Sequence, residues 1–289
     1  MKVLWNEEIV DETEVQIDLE DRGYQFGDGL YEVIRIYDGQ FFMEKEHLDR
    51  LWACADKIRL TLPFERAEFS HRLHRFAEEV GIKEGRLYFQ VTRGVCKPRL
   101  HDFPDPKEVK AVLTADIQPA SRPLVKQKNG IHCGFVADKR WLHCDIKSIS
   151  LLGNIMALDE AKQKGFEDAV LERDGIVTEA SASNLWMVKN QKLFTHPDGE
   201  LVLPGITKIK LREIAQALNI ELIEEPFTTT ELLQADECFK TSSVAEIMPI
   251  VSIDHQKIGT GEVGTITNRL LKAYSEVIKM TVQENKSEI

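Results

Sequence analysis

The stretch Gln118-Pro119-Ala120-Ser121-Arg122-Pro123 constrains this chain more than any other. Each proline fixes φ, removes a backbone donor and pushes the preceding residue out of the α region. Neither a helix nor a central strand is expected to run through it. At roughly 100–200 residues per domain, a 289-residue chain has room for one domain on each side. The expected division is a domain at 1–118, a linker at 119–123 and a second domain at 124–289.

Both blocks mix hairpins with amphipathic helices. Leu30 to Tyr37 is rich in β-branched and aromatic residues, and Asp38-Gly39 turns it into Phe41-Phe42. Leu48, Leu51, Trp52, Ala55 and Ile58 recur at helical spacing over Glu44 to Arg59. A second helix carries Phe69, Leu73, Phe76 and Val80 and stops at Gly81. Strands are expected at Arg86 to Thr92 and at Glu108 to Ile117. Beyond the linker come a strand (Ile131 to Ala137), a helix (Leu151 to Lys164, ended by Gly165) and a meander turning at Asp174-Gly175 and Lys189-Asn190-Gln191. Helices follow from Thr207 to Leu218, after the capping box Thr228-x-x-Glu231, and through Ile266, Leu270, Tyr274 and Val277. Segregation of strands and helices in blocks fits two α+β domains better than a doubly wound parallel sheet.

The net charge of −11 argues against polyanion partners, because phosphate backbones reward clustered Lys and Arg. No nucleic-acid or membrane partner is expected. No apolar run approaches the ~20 residues that span a bilayer, and the N-terminus turns acidic at Glu7-Glu8. Five scattered cysteines with no Cys-x-x-Cys pair argue against a disulfide framework or a metal site, and point to the cytoplasm.

Gly23, Gly27 and Gly29 miss the dinucleotide G-x-G-x-x-G spacing, and P-loop, G-x-S-x-G and H-E-x-x-H motifs do not occur. Four other features carry chemistry. Lys147, in Asp145-Ile146-Lys147-Ser148-Ile149-Ser150-Leu151-Leu152, lies in a stretch otherwise built for an interior. An ammonium there must be paired, for example with Asp145, or used covalently, and a desolvated amine is a nucleophile toward carbonyls. Leu203-Pro204-Gly205-Ile206-Thr207 opens a helix whose first N–H groups suit an anion, unless Thr207 only caps it. Thr241-Ser242-Ser243 offers hydroxyls to the same anion or merely a turn. Glu179 is a strand-end carboxylate, either solvated or facing a flat ligand across the small residues Ser181, Ala182, Ser183 and Asn184. Arg99 and His101, two apart in an extended loop, share a face and suit one carboxylate; the plainer alternative is an exposed basic loop.

These segments, in this order, resemble the fold-type IV (class IV) pyridoxal-phosphate aminotransferases, and among them the D-amino-acid aminotransferases. The resemblance rests on Asp21-Arg22-Gly23-Tyr24-Gln25-Phe26-Gly27-Asp28-Gly29-Leu30-Tyr31-Glu32, Gln90-Val91-Thr92-Arg93-Gly94 and Cys144-Asp145-Ile146-Lys147-Ser148. Thr178-Glu179-Ala180-Ser181-Ala182-Ser183-Asn184, Pro204-Gly205-Ile206-Thr207 and Thr241-Ser242-Ser243 complete it, nearly spanning the chain. Ala180, Ala182 and Val244 depart from the common pattern.

The resemblance implies an α+β fold with a smaller N-terminal α/β sandwich domain and a larger C-terminal pseudo-barrel that binds pyridoxal 5'-phosphate. It implies that Lys147 forms the Schiff base and shuttles the proton, while Glu179 faces the pyridine nitrogen. Arg50, the N–H groups of Ile206 and Thr207, the Thr207 hydroxyl and Ser243 would hold the phosphate. Ser183, Asn184, Leu203, Gly205 and Ser242 would complete the cofactor site. Tyr31, Arg99 and His101 would receive the substrate carboxylate; Val33, Tyr88, Leu203, Ser181 and Ala182 would shape the rest of the substrate pocket. The Arg-x-His loop implies a homodimer with shared sites, gathering positive groups into one cleft of an acidic protein.

The expected activity is ping-pong transfer of an amino group between D-alanine or D-glutamate and a 2-oxo acid. The alternatives are a branched-chain L-amino-acid aminotransferase, an aminodeoxychorismate lyase-like enzyme, and a protein that only binds a phosphate ligand.

Overall fold

The computed structural model describes residues 1–287, so the last two residues of the expected 124–289 domain lie outside the described range. Two compact units emerge. The first is Met1–Ser121 together with Ile146–Ser150; the second is Arg122–Asp145 together with Leu151 onward.

The first unit contains β1 (Lys2–Trp5), β2 (Glu8–Asp11), α1 (Arg22–Phe26), β3 (Gly29–Tyr37) and β4 (Gln40–Phe41). It continues with α2 (Glu44–Lys57), α3 (Arg66–Val80), β5 (Gly85–Thr92) and β6 (Val112–Pro119). The strands form one antiparallel sheet in the order β2-β1-β6-β5-β3-β4. The β3–β4 hairpin forms because Asp38 and Gly39 both take positive φ, 48° and 81°. Alternation on β3 puts Leu30 and Ile34 into a core with Leu48 and Leu51 of α2 and Phe69, Leu73 and Phe76 of α3. Each such fully buried side chain contributes about 1.5–3 kcal/mol. Tyr31 and Val33, on the other face, are half-buried.

The expected strand from Glu108 begins only at Val112. Asp105 Oδ1 accepts Lys107 N–H, and the Asp105 carbonyl accepts the N–H groups of Glu108 and Val109, so a turn takes the first residues. Neither α1 nor the short helix α4 (Leu124–Asn129) shows a periodicity long enough to read from sequence.

From α4 the second unit runs through β7 (Ile131–Ala137), α5 (Leu152–Gln163), β8 (Asp168–Arg173), β9 (Ile176–Ala180), β10 (Asn184–Lys189) and β11 (Lys192–Thr195). Then come α6 (Ile206–Ala217), β12 (Leu222–Glu224), α7 (Thr229–Leu233), β13 (Glu237–Ser242), β14 (Glu246–Ile253), β15 (Gln256–Lys257) and α8 (Thr265–Ser287). The sheet order is β12-β11-β10-β13-β14-β7-β8-β9, with β15 on β14. β9 and β10 stand far apart in that order, yet the Ser181-Ala182-Ser183 turn joins them through an Ala180–Ser183 bridge. The sheet therefore curls into a pseudo-barrel. Its strands pack Val170, Val177, Leu185, Met187 and Ile250 inside. No helix among the described residues is long and apolar enough to cross a membrane.

Candidate active site

The segment around Lys147 lies beyond the linker in sequence but pairs with the start of β3. Tyr31 N–H donates to the Lys147 carbonyl (3.1 Å), and Ile149 N–H donates to the Gly29 carbonyl (3.1 Å). Lys147 N–H also points at Cys54 Sγ of α2, at 3.4 Å. This backbone pairing carries the half-buried Lys147 ammonium to 4.0 Å from the Tyr31 ring centroid.

Tyr31 and Val33 share a face of β3, and Val33 stands opposite Tyr88 of β5. The Tyr31 and Tyr88 rings stack with centroids 5.7 Å apart, and Tyr88 Oη donates to Gln90 Oε1 (2.8 Å). Burial pushes the Tyr88 phenol up to about 12, so it remains a hydrogen-bond donor at neutral pH. Arg99 and His101 are exposed and adjacent, with Arg99 Nη1 3.3 Å from His101 Nε2. The structure thus brings together Lys147 with Tyr31, Val33 and Tyr88 of the sheet face, and separately Arg99 with His101.

Arg50 emerges from the buried side of α2. Its Nε and Nη2 hold both oxygens of Glu32, each at 2.8 Å. His47 Nδ1 lies 2.7 Å from the same carboxylate. Burial opposes ionisation of Glu32, but Arg50 and His47 outweigh it and hold the carboxyl well below its usual range. Burial lowers His47, so its ring is neutral. Arg50 is therefore not a bare cation: a carboxylate of its own unit balances and aims it.

In the second unit Glu179 is buried at the end of β9. Its Oε1 accepts from Arg140 Nη1; its Oε2 accepts from Asn184 Nδ2 (3.2 Å) and Leu203 N–H (3.3 Å). Burial pushes the Glu179 carboxyl up, and Arg140 opposes that. Arg140 also grips Asp138 through Nε (2.9 Å) and Nη2 (2.8 Å). Burial likewise works against the charge on Asp138, yet hydrogen bonds from Arg140 and Thr178 keep it ionised. Sequence reading missed Arg140 because Lys139 beside it makes the pair look like a solvated charge run. The available signal was Asp138-x-Arg140, whose two-residue spacing is that of Arg99 and His101.

Asn184, first residue of β10, also donates to the Leu203 carbonyl at 2.8 Å. Its Oδ1 would lie 1.9 Å from a Cβ on Gly205, which explains the glycine. Gly205 is the N-cap of α6 and supplies no side-chain cap, so the first-turn N–H groups of Ile206 and Thr207 are not closed off by one. Thr207 itself is buried within that turn. The Ser181–Ser183 turn is pinned from below: Ser181 Oγ and Lys240 Nζ both contact Asp168, another pairing the sequence does not reveal. Ser181 and Ser183 are buried and Ala182 is exposed. Ser242, at the end of β13, accepts Ala245 N–H at 3.2 Å, and Ser243 follows in the turn.

These groups suit a flat, anionic, nitrogen-containing ring. An ionised carboxylate has about four acceptor sites. Glu179 uses three, for Arg140, Asn184 and Leu203, which leaves capacity for one ring N–H. An α6 start without a side-chain cap suits a phosphate.

Residues 29–253 match the family described as amino-transferase class IV, and the chain belongs to that family. A D-alanine aminotransferase of Listeria monocytogenes is 43% identical over 278 residues, covering 96% of this chain and 96% of the relative. The D-alanine aminotransferase of Bacillus licheniformis is 41% identical over 96% of this chain and 97% of its own. Among solved structures, the branched-chain aminotransferase of the thermophilic archaeon Thermoproteus uzoniensis, solved with norvaline, has the same fold. Its TM-score is 0.84 at 28% identity, covering 96% of this chain and 94% of that one.

Proposed function

We propose that this protein is a pyridoxal 5'-phosphate-dependent D-amino-acid transaminase, moving the amino group of D-alanine or D-glutamate to pyruvate or 2-oxoglutarate by a ping-pong route. The observation that carries this is nearly full-length identity above 40% with D-alanine aminotransferases. Branched-chain enzymes share the fold at lower identity, so the L-specific alternative is not favoured.

When bound, the cofactor supplies an electron sink for the pair of electrons left at the substrate Cα. Lys147 would hold it and would move the proton at that carbon; its place against Tyr31 supports the role. Glu179, aimed by Arg140 and Asn184, would hold the ring nitrogen, and Ser183 and Leu203 would help hold the group. Arg50, the Ile206 and Thr207 N–H groups, the Thr207 hydroxyl, Ser242 and Ser243 hold the phosphate end, Gly205 letting the backbone approach. Tyr31, Arg99 and His101 bind the α-carboxylate, while Val33, Tyr88, Ser181 and Ala182 bound the remaining space.

The protein acts as a homodimer whose Arg-x-His loops serve the neighbouring site. Leu152, Ile155 and Met156 of α5 support this, being 70%, 59% and 63% exposed despite their apolar character. A monomeric mass by light scattering overturns it. Five cysteines with no disulfide between them support a reducing cytoplasm as its location; a secreted product in cell fractionation overturns that.

Holoenzyme given D-alanine and 2-oxoglutarate is expected to release pyruvate, and Lys147→Ala to lose at least about 10²–10⁴-fold in rate. Undiminished turnover in that variant, or conversion of L-valine but not D-alanine, overturns the assignment. Without a 2-oxo acid, D-alanine should yield no more than one pyruvate per site; repeated pyruvate release from aminodeoxychorismate with no acceptor would instead indicate a lyase.

A further inference from the structure

The segment Asp21 to Gly29 is shaped into a support that the chemistry above does not use. Asp21 Oδ1 caps α1 by accepting Gly23 N–H (2.7 Å), and Thr92 donates to its other oxygen (2.8 Å). Gly27, at φ 67°, ends the five-residue helix. Arg22 and Phe26 then project from the same short turn toward the loop that carries Arg99 and His101.

Arg22 is 4% exposed. Its Nε donates to Asp28 Oδ2 at 2.8 Å and its Nη1 donates to the carbonyl of Leu100 at 2.6 Å. Leu100 is the residue between Arg99 and His101. Asp28 Oδ2 also accepts from the buried Arg93, at 2.8 Å, and Arg93 lies 4.0 Å from the ring of Phe103, farther along the loop. One carboxylate thus steadies two guanidinium groups, each holding a different part of the loop. Phe26 acts on the side chains. The Arg99 guanidinium lies 4.3 Å from its ring centroid, and the His101 ring meets it edge-on at 5.6 Å and 78°.

An exposed arginine loses rotamer freedom when it grips a ligand. A prealigned one loses less, so the support converts directly into carboxylate affinity. We propose that Arg22 and Phe26 are positioning residues for substrate carboxylate recognition, Arg22 fixing the backbone between Arg99 and His101 and Phe26 fixing their side chains. This rests on the reading that Arg99 and His101 bind the substrate carboxylate. Both act through the loop and not by binding the carboxylate themselves.

Steady-state kinetics of holoenzyme with D-alanine at saturating 2-oxoglutarate separates the possibilities. Phe26→Leu is expected to raise KM for D-alanine about three- to tenfold, with kcat within about twofold, since one aromatic–cation contact is involved. The inhibition constant for propionate, a bare carboxylate probe, should rise in parallel. Phe26→Tyr should restore both values by restoring the aromatic face. Arg22→Lys keeps the charge beside Asp28 but cannot reach Leu100 as well, and should raise KM similarly.

Arg99→Ala is the control. If it raises KM while Phe26→Leu and Arg22→Lys do not, the positioning role is overturned and the carboxylate assignment stands. If Arg99→Ala leaves KM unchanged, the carboxylate assignment fails and the positioning role fails with it. A purely structural role would lower the melting temperature of Phe26→Leu without moving KM or the propionate constant, and that result also overturns it.

Discussion

At the residue scale, the candidate site is built on buried charges that are balanced within their own unit. The helix position of Arg50 was legible from the spacing of Leu48, Leu51 and Ala55, but its partner Glu32 was not, lying 18 residues away on a strand. Arg140 is the sharper case, because its contact with Glu179 spans 39 residues. It shares its guanidinium between two buried carboxylates, Asp138 and Glu179. Arg140→Met leaves both without that partner, and removing one member of a buried ionic cluster costs about 3–5 kcal/mol. A lower urea midpoint at unchanged slope, together with weaker cofactor binding, is the expected result. Arg140→Lys should recover only part, because an ammonium lacks the planar fork. An unchanged midpoint in Arg140→Met would show that the cluster contributes nothing net.

At the element scale, local chemistry transmits well. The capping box forms as the sequence indicates: Thr228 Oγ1 accepts Glu231 N–H at 3.1 Å, and Glu231 accepts Thr228 N–H at 2.7 Å. Asp174 and Gly175 take positive φ, as do Asn190 and Gln191, so both hairpin turns were legible. Thr207 was open to reading as a helix cap; the N-cap is Gly205, because the chain must pass close under Asn184. Gly205→Ala is therefore expected to displace Asn184 and lose its bonds to Glu179 and the Leu203 carbonyl. At about 0.5–1.5 kcal/mol per bond, cofactor affinity should drop roughly ten- to a hundredfold in a fluorescence titration. Gly199→Ala, where an added Cβ meets nothing within 4 Å, should bind as the parent does. Equal affinities for the two variants would sink this account of Gly205.

At the scale of the whole molecule, the buried Glu32–His47–Arg50 cluster makes stability sensitive to acid. His47 is held below its ordinary 6.5, so the unfolded chain takes up a proton first and stability falls as pH drops below that value. Glu32 is held below its ordinary 4.5, so its contribution is complete above 4.5 and fades as pH falls toward the folded value. Each group adds at most about 1.4 kcal/mol per pH unit, in the same direction. Urea midpoints followed from about pH 7 to pH 5 should decline, and His47→Gln should flatten that decline. A variant as steep as the parent would assign the effect elsewhere.

The sequence by itself determined the longer helices and strands, the hairpin turns and the family, because hydrophobic period, turn residues and ordered motifs are local properties of the chain. Only the tertiary structure decided the partnerships. Lys147 follows the linker yet clusters with the first unit, since Tyr31 and Gly29 pair with its backbone. Arg140 meets Glu179, Arg50 meets Glu32, and Arg22 reaches the carbonyl between Arg99 and His101. These contacts join residues distant in sequence through burial and charge pairing, and neither leaves a period or a fixed spacing to read.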